Sequence, residues 1–475
     1  MTALSGLDWI IVLLYMVGMI GIGLIANRKV TGFEDHILSG RSVPTYYLAP
    51  CLLTTQIGAG SLVGYVGLCY SIGFAGGWWI YGNIITFICL GLIGAKPLRK
   101  AIKANTLPEW FKLRYNESSR IFTATTTLIA EVAFTAGQIV GGALLCSVVM
   151  GWDLKISILI FTIIVGIYTV LGGLWAVFLT DFIQMFVMIV GLGAVVIIGL
   201  QMNGGFTGLK EVVPESYFNF IQPGELGTTI ASVLYSIPAI FCSFDIIQKV
   251  MAAKSPQVAK NSCFWASGGV IIFAICIPLI GILGYAILGP NVENPESISA
   301  MLIATILPTG LKGLGVAAIL ATLMSSSSAC IMAASSVLTN DLFPLVSSFR
   351  TMDNKKKMRL SMIATLILSI LCWLLATFME SALTNMELAW TALSCGAFIP
   401  LIFGLLWKKT SSKAAITCMF AGSITGLLWV FLDNPMGLRP VIPAYIVGII
   451  VIVVLSLIFP DEHSEQRQKD SGLAS

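Results

Sequence analysis

Leu53-Thr54-Thr55-Gln56-Ile57-Gly58-Ala59-Gly60-Ser61-Leu62-Val63-Gly64 sits in the middle of a long apolar run, residues 45–72. The surroundings make this composition consequential. The chain has 475 residues, of which 57% are hydrophobic and only 11% charged, and its mean hydropathy is +0.92. Soluble domains carry roughly a quarter charged residues, so a bilayer must solvate this surface, and a membrane-spanning backbone must be helical because lipid offers amides no partners. Gly58 and Gly60 each weaken a helix by about 1 kcal/mol relative to alanine, and Thr54, Thr55, Gln56 and Ser61 are polar neighbours. The backbone is expected to unwind there and expose carbonyls at membrane depth. Such backbone survives only where protein buries it or where it lines a cavity; a close-packing glycine face is the competing reading of this stretch alone.

Working outward, about thirteen apolar segments are long enough to span a bilayer: 8–26, 45–72, 77–95, 121–149, 155–173, 178–201, 228–250, 261–288, 311–340, 359–379, 384–406, 412–432 and 440–459. The first has no basic flank before it and reads as a retained helix rather than a signal peptide. Of the 27 Lys and Arg residues, only Lys155, Lys210, Lys312 and Arg439 fall in one set of loops, and all the others lie in the opposite set. The positive-inside rule then places the N-terminus outside and the C-terminus in the cytoplasm of a multi-pass plasma-membrane protein. The cysteines form no CxxC pair and lie in or beside apolar stretches, so they read as small buried hydrophobes. No GxxxxGK[ST] stretch supplies an ATP motor. The two histidines, His36 and His463, lie in cytoplasmic segments and no nucleophile–base pair is visible, so the chain is not read as an enzyme. Nothing points to nucleic acid or to an obligate protein partner.

A second interruption is expected in Tyr235-Ser236-Ile237-Pro238-Ala239-Ile240-Phe241-Cys242-Ser243-Phe244-Asp245. Pro238 removes a backbone donor and blocks the carbonyl four residues earlier. The two interrupted segments are five spans apart, and broken helices in matching positions of two halves point to a binding site near the midplane. In segment 311–340, Thr322, Ser325 and Ser326 share one helix face. Sodium, a hard cation, suits hydroxyl and carbonyl oxygens; packing with back-bonded hydroxyls is the alternative for this stretch by itself.

A resemblance sharpens these readings. Tyr168-Thr169-Val170-Leu171-Gly172-Gly173-Leu174-Trp175-Ala176-Val177-Phe178-Leu179-Thr180-Asp181-Phe182-Ile183-Gln184 looks like the YTxxGGLxAVxxTDxxQ signature of the sodium:solute symporter family. Ser39-Gly40-Arg41-Ser42-Val43-Pro44 resembles that family's GRxxP entry, Ala317 to Asp341 its serine-rich helix, and Asp245-Ile246-Ile247-Gln248-Lys249 its QR segment with lysine in place of arginine. The resemblance implies one transmembrane domain with a LeuT-type core of two inverted five-helix repeats, about 45–201 and 228–406, and peripheral helices at 8–26, 412–432 and 440–459. It further implies sodium bound by the carbonyls of Thr54, Ile57 and Thr322 and the hydroxyls of Ser325 and Ser326, with Asp181 near the inner end of the ion path. Read independently, Asp181 falls at the cytoplasmic start of a span, where a helix dipole would also stabilise it.

Glu131 is an intramembrane carboxylate and so a functional candidate, as a structural acid, a partner for a solute amine, or a proton relay. Residues 96–99 and the stretch from Glu131 resemble the family's choline-transporting branch. A quaternary ammonium wants an aromatic cage, yet the matching positions are Gln56 or Ile57, Phe134 and Ser243, so that cage is largely missing. Sugar carriers have an acid where this chain reads Trp78-Trp79-Ile80-Tyr81. The remaining midplane set, Gln56, Ser61, Trp79, Gln138 and Ser243, suits a small polar solute of the amino-acid or organic-acid type. The expectation is a sodium-coupled symporter working by alternating access; a proton-coupled carrier of the same fold, or a carrier of choline-like amines, are the alternatives.

Overall fold

Helices satisfy the backbone of this apolar chain. In a computed structural model describing residues 4–350, 352–378, 382–461 and 464–473, the only strand-type pairing is one isolated bridge between Val43 and Ala253. His463 lies outside the described residues. The main elements are α1 (Gly6–Asn27), α2 (Thr45–Gln56), α3 (Val66–Ile72), α4 (Trp78–Cys89), α5 (Glu117–Met150), α6 (Leu154–Met202), α7 (Leu226–Phe241), α8 (Phe244–Met251), α9 (Pro256–Leu288), α10 (Leu311–Val337), α11 (Asn354–Phe378), α12 (Ala382–Leu406), α13 (Ser412–Phe431) and α14 (Val441–Ile458).

Among the described residues nine helices are long and apolar enough to cross a membrane, or ten when the bent pair Thr229–Phe241 and Phe244–Met251 is taken as one span. The sequence reading of about thirteen separates stretches that the structure runs together. Residues 155–173 and 178–201 follow one another without a loop, as two helical stretches that meet at a kink at Gly173 within 49 residues, and residues 60–100 likewise run on as one 41-residue helical stretch. The join within α6 is Gly173, whose φ is +53° and ψ −150°. Only glycine takes that conformation without strain, and a Cβ there would also collide with the His36 ring. Burial pushes the His36 imidazole down to about 4, which keeps it neutral beside α6.

The architecture encloses α10 completely. Every residue from Val316 to Val337 is buried, with α1, α5, α6 and α11 packed around it. A helix with lipid on no side can carry hydroxyls, provided neighbours satisfy them. Tyr168 of α6 donates to the Met324 carbonyl at 2.8 Å. At the other end, Asp8 accepts from the amides of Gly310 and Gly313 at 2.8 Å each, which pins α1 to the start of α10. By contrast α1, α13 and α14 bury only a minor share of their apolar stretches within the protein. At the end rich in Lys and Arg, the buried Arg114 donates to the carbonyls of Gly404, Trp407 and Thr410. All eleven cysteines are free and buried or half-buried.

Candidate functional site

The first interruption falls where Gly58 and Gly60 place it. Helix α2 stops at Gln56, and Ile57 turns out of the helix with φ −98° and ψ 83°. The chain resumes through a wide turn with i→i+5 bonding over Gly60–Tyr65, a geometry that recurs at functional sites. An amide freed by the break needs a partner: the Ala59 N–H donates to Gln138 Oε1 of α5 at 2.6 Å. Gly58 lies so close to α10 that a Cβ on it would come within 2.7 Å of Ser326 Oγ and 2.8 Å of Gln138 Oε1.

The hydroxyls of α10 meet this break. Ser326 Oγ donates to the Thr55 carbonyl at 2.9 Å and lies 3.4 Å from the Thr322 carbonyl. Ser325 Oγ bonds Thr54 Oγ1 at 3.1 Å and Asp181 Oδ1 at 2.6 Å. The Thr322 hydroxyl is spent on the Ala318 carbonyl at 2.8 Å, which leaves its carbonyl facing Ser326. Ile57 is fully buried beside them. The structure thus gathers Thr54, Ile57, Thr322, Ser325 and Ser326 into one oxygen-rich crossing, the donor chemistry a hard monovalent cation wants. It places Asp181 differently from its expected position at a helix start. Asp181 lies well inside α6, beyond the Gly173 bend, and touches Ser325 directly. It also accepts from Cys51 Sγ at 2.7 Å and pairs with Lys249 Nζ at 3.5 Å. Lys249, wholly buried, donates in addition to Thr55 Oγ1 and the Cys51 carbonyl. A buried cation bonded at the inner side of the hydroxyl crossing was not foreseen; the lysine in the QR-like segment was its only trace.

The second interruption separates α7 from α8 at a 51° bend. Pro238 does not mark the break itself. Its carbonyl accepts from Cys242 N at 2.9 Å, the helix runs on to Phe241, and the chain turns at the extended Ser243, five residues beyond Pro238. Asp245 then accepts from the Ile246 amide at 2.8 Å and from the Ser243 hydroxyl. Glu131 of α5, expected as a solitary acid, approaches this turn: its Oε1 accepts from the Asp245 amide at 3.3 Å.

Between the two interruptions lies a cavity of about 560 Å³ including its open mouth. Gln56, Ser61, Trp79, Gln138 and Ser243 all line it. Ser61 is tied to the Gln56 carbonyl at 3.3 Å, whereas Gln138 Nε2 is buried without a hydrogen-bond partner among the described residues. The walls are more aromatic than the sequence suggests. Tyr65 stacks on Trp79 with centroids 5.0 Å apart, Phe134 meets Trp390 edge-on at 5.5 Å, and Tyr235 and Asp245 also line the cavity. Tyr65, Tyr235, Trp390 and Asp245 are among the lining residues that sequence reasoning missed.

The family model described as "Sodium:solute symporter family" matches residues 36–422. The chain belongs to that family. This symporter is 27% identical to the osmoregulated proline transporter OpuE of Bacillus subtilis over 465 residues, which covers 94% of this chain and 93% of that one. It is 26% identical to the sodium/proline symporter of Staphylococcus aureus strain JH9, covering 94% and 92%. Its fold superposes on a substrate-bound, outward-open Na+-coupled sialic acid symporter with a TM-score of 0.86 at 18% identity, covering 96% of this chain and 99% of the other. It also superposes, at a TM-score of 0.61 and 14% identity, on the nucleobase-cation-symport-1 transporter Mhp1. The fold is of the LeuT type. The symporter is a multi-pass membrane carrier, not an enzyme, and couples sodium to uptake of a small polar organic solute by alternating access.

Proposed function

We propose that the solute is a small zwitterionic amino or imino acid and that the α2–α10 crossing is the sodium site that drives its uptake. One observation carries the reading: the interrupted segment is shared. Gly58 abuts both Ser326, on the ion side, and Gln138, on the wall of the solute cavity, so a cation that orders the segment also shapes the cavity. Thr54, Ile57 and Thr322 contribute carbonyls, and Ser325 and Ser326 contribute hydroxyls. Asp181 lies along the ion's inner path. In the cavity, Gln138 Nε2 offers a donor to a carboxylate and Asp245 faces an amine. The Tyr65–Trp79 and Phe134–Trp390 pairs hold a compact apolar body, assisted by Gln56, Ser61 and Ser243. Proline transport by the relatives OpuE and the S. aureus symporter supports this size and charge pattern.

The same reading takes the 49-residue α6 as two spans: at 1.5 Å per residue it is roughly 70 Å long, more than twice the hydrocarbon thickness. Dividing residues 45–100 at the Gly73–Gly77 turn restores about thirteen spans. The repeats are then about 45–201 and 228–406, with the N-terminus outside and the basic loops in the cytoplasm.

Ion and solute affinities must enhance each other reciprocally, and one sodium crossing about 100 mV supplies about 2.3 kcal/mol. Uptake of radiolabelled proline into proteoliposomes tests the proposal: it should require an inward sodium gradient. Uptake driven equally by a pH gradient in sodium-free buffer rejects the coupling. The aromatic walls together with Asp245 favour a second reading, a choline-like amine; choline competing better than amino acids in the same assay selects it.

A further inference from the structure

Glu131 and Asp245 lie face to face where α5, α8 and α10 meet, and the symport mechanism leaves Glu131 without a task. A carboxylate oxygen of each and the Cys330 sulfur lie within 4.8 Å of one another, all buried. Cys330 Sγ approaches Asp245 Oδ2 at 3.7 Å. Asp245 spends its other oxygen on Ser243 and the Ile246 amide. Glu131 uses Oε1 for the Asp245 amide, while its Oε2 is buried with no hydrogen-bond partner among the described residues, on a residue only 1% exposed. An unpartnered carboxylate oxygen in such a place is costly unless something occupies it. Two buried carboxylates this close do not both ionise without a cation between them.

The charged and titratable neighbours bear this out. On α8, Lys249 is one turn beyond Asp245, but its ammonium is already paired with Asp181 of α6. Cys51 of α2 bonds Asp181 rather than the pair. Cys372 of α11 donates to the Val132 carbonyl at 3.6 Å, and Tyr235 of α7 lies across the cavity. The local count is therefore three acids, Glu131, Asp181 and Asp245, against one lysine.

We propose that Glu131 and Asp245 form a proton-binding site holding one shared proton, and that its occupancy is linked to sodium binding through Lys249. With the proton in place, Lys249 stays on Asp181, next to Ser325, and its charge opposes sodium at the crossing. When the proton leaves, the pair gains a negative charge one turn away on the same helix, Lys249 is drawn back toward it, and Asp181 is released to favour sodium. Sodium binding then expels a proton, and alkaline conditions strengthen sodium binding; the coupling is reciprocal. The proton site stands on its own geometry, whereas the linkage rests on the sodium site proposed above.

Two measurements on the purified full-length protein in nanodiscs separate these claims. The infrared carbonyl band of a protonated carboxyl, recorded at neutral pH without sodium, is expected in the wild type and lost in Glu131→Gln. Its absence from the wild type, or its appearance only after a chelator strips a metal ion, overturns the proposal. The second measurement is the sodium concentration giving a half-maximal thermal shift, with potassium as the balancing cation. It should fall about fivefold or more between about pH 5.5 and about pH 8.5 in the wild type and be flat in Glu131→Gln. A flat wild-type profile, or an unchanged slope in the variant, overturns the linkage. If sodium gives no shift at any pH, the sodium site fails and the infrared band still decides the proton site. Should Glu131→Gln not assemble, Asp245→Asn serves as the reference.

Discussion

The two interrupted spans solve the same problem by different means. Breaking a helix at membrane depth frees amides and carbonyls that must be satisfied. The α2 break contains no proline and no charge, and it borrows its partners: Gln138 from α5 accepts the Ala59 amide, and Ser326 from α10 binds the Thr55 carbonyl. The α7–α8 break supplies its own. Asp245 accepts from Ser243 and Ile246 within the same turn, and Lys249, one turn further, reaches across to Asp181. The first break depends on its neighbours and therefore responds to them; the second is a self-capped, charged platform. A neutral, borrowed-partner break suits an ion that must bind and leave, since a buried carboxylate among its ligands would hold the ion more tightly.

Four tests break or sharpen this contrast. Lys249→Met should have the largest effect, because it leaves Asp181 and Asp245 without their buried cation. Removal of one member of a buried pair costs about 3–5 kcal/mol, to be read as a large fall in melting temperature and in yield of folded protein. Asp181→Asn in the same background should restore part of that stability. Ser325→Ala with Ser326→Ala should raise the sodium concentration for half-maximal uptake at least about tenfold, equivalent to about 1.4 kcal/mol, with the fold retained. An unchanged sodium dependence rejects the site assignment. Gln138→Leu strands the Ala59 amide at about 1–3 kcal/mol, while Gln138→Glu keeps an acceptor. If the break relies on outside partners, thermal stability should fall in the leucine variant and recover in the glutamate variant. Gly58→Ala pushes a methyl toward Ser326 and Gln138 and should cost about 1–3 kcal/mol. A smaller loss, visible as wild-type sodium affinity, means the segment yields more readily than its packing suggests.

The sequence announces the first interruption at its cause, Gly58 and Gly60, and the second only by neighbourhood, since Pro238 stays within α7 and the chain turns at Ser243. That Gln56, Ser61, Trp79, Gln138 and Ser243 lie together on one cavity was also legible, since each follows from depth and polarity within its own span. What stayed hidden depends on rotation and on distant partners. Tyr65 faces the cavity only because the wide turn over Gly60–Tyr65 shifts the helix face, and no 3.6-residue period anticipates that shift. The Glu131–Asp245 and Asp181–Lys249 pairs join residues 114 and 68 positions apart. Helix α6 shows no separator in the sequence that tells a continuous helix from two spans, because its bend is carried by the single φ of Gly173. Asp181 looked like a helix start for that reason.

The complete enclosure of α10 has a consequence for how the protein is made. This serine-rich stretch, buried along its core by the finished fold and with hydroxyls bonded back to its own preceding turn, packs against protein rather than lipid. Its final position therefore depends on the helices packed around it, α1, α5 and α6 among them. Assembly then has a built-in order, in which this central helix settles only within a scaffold that surrounds it.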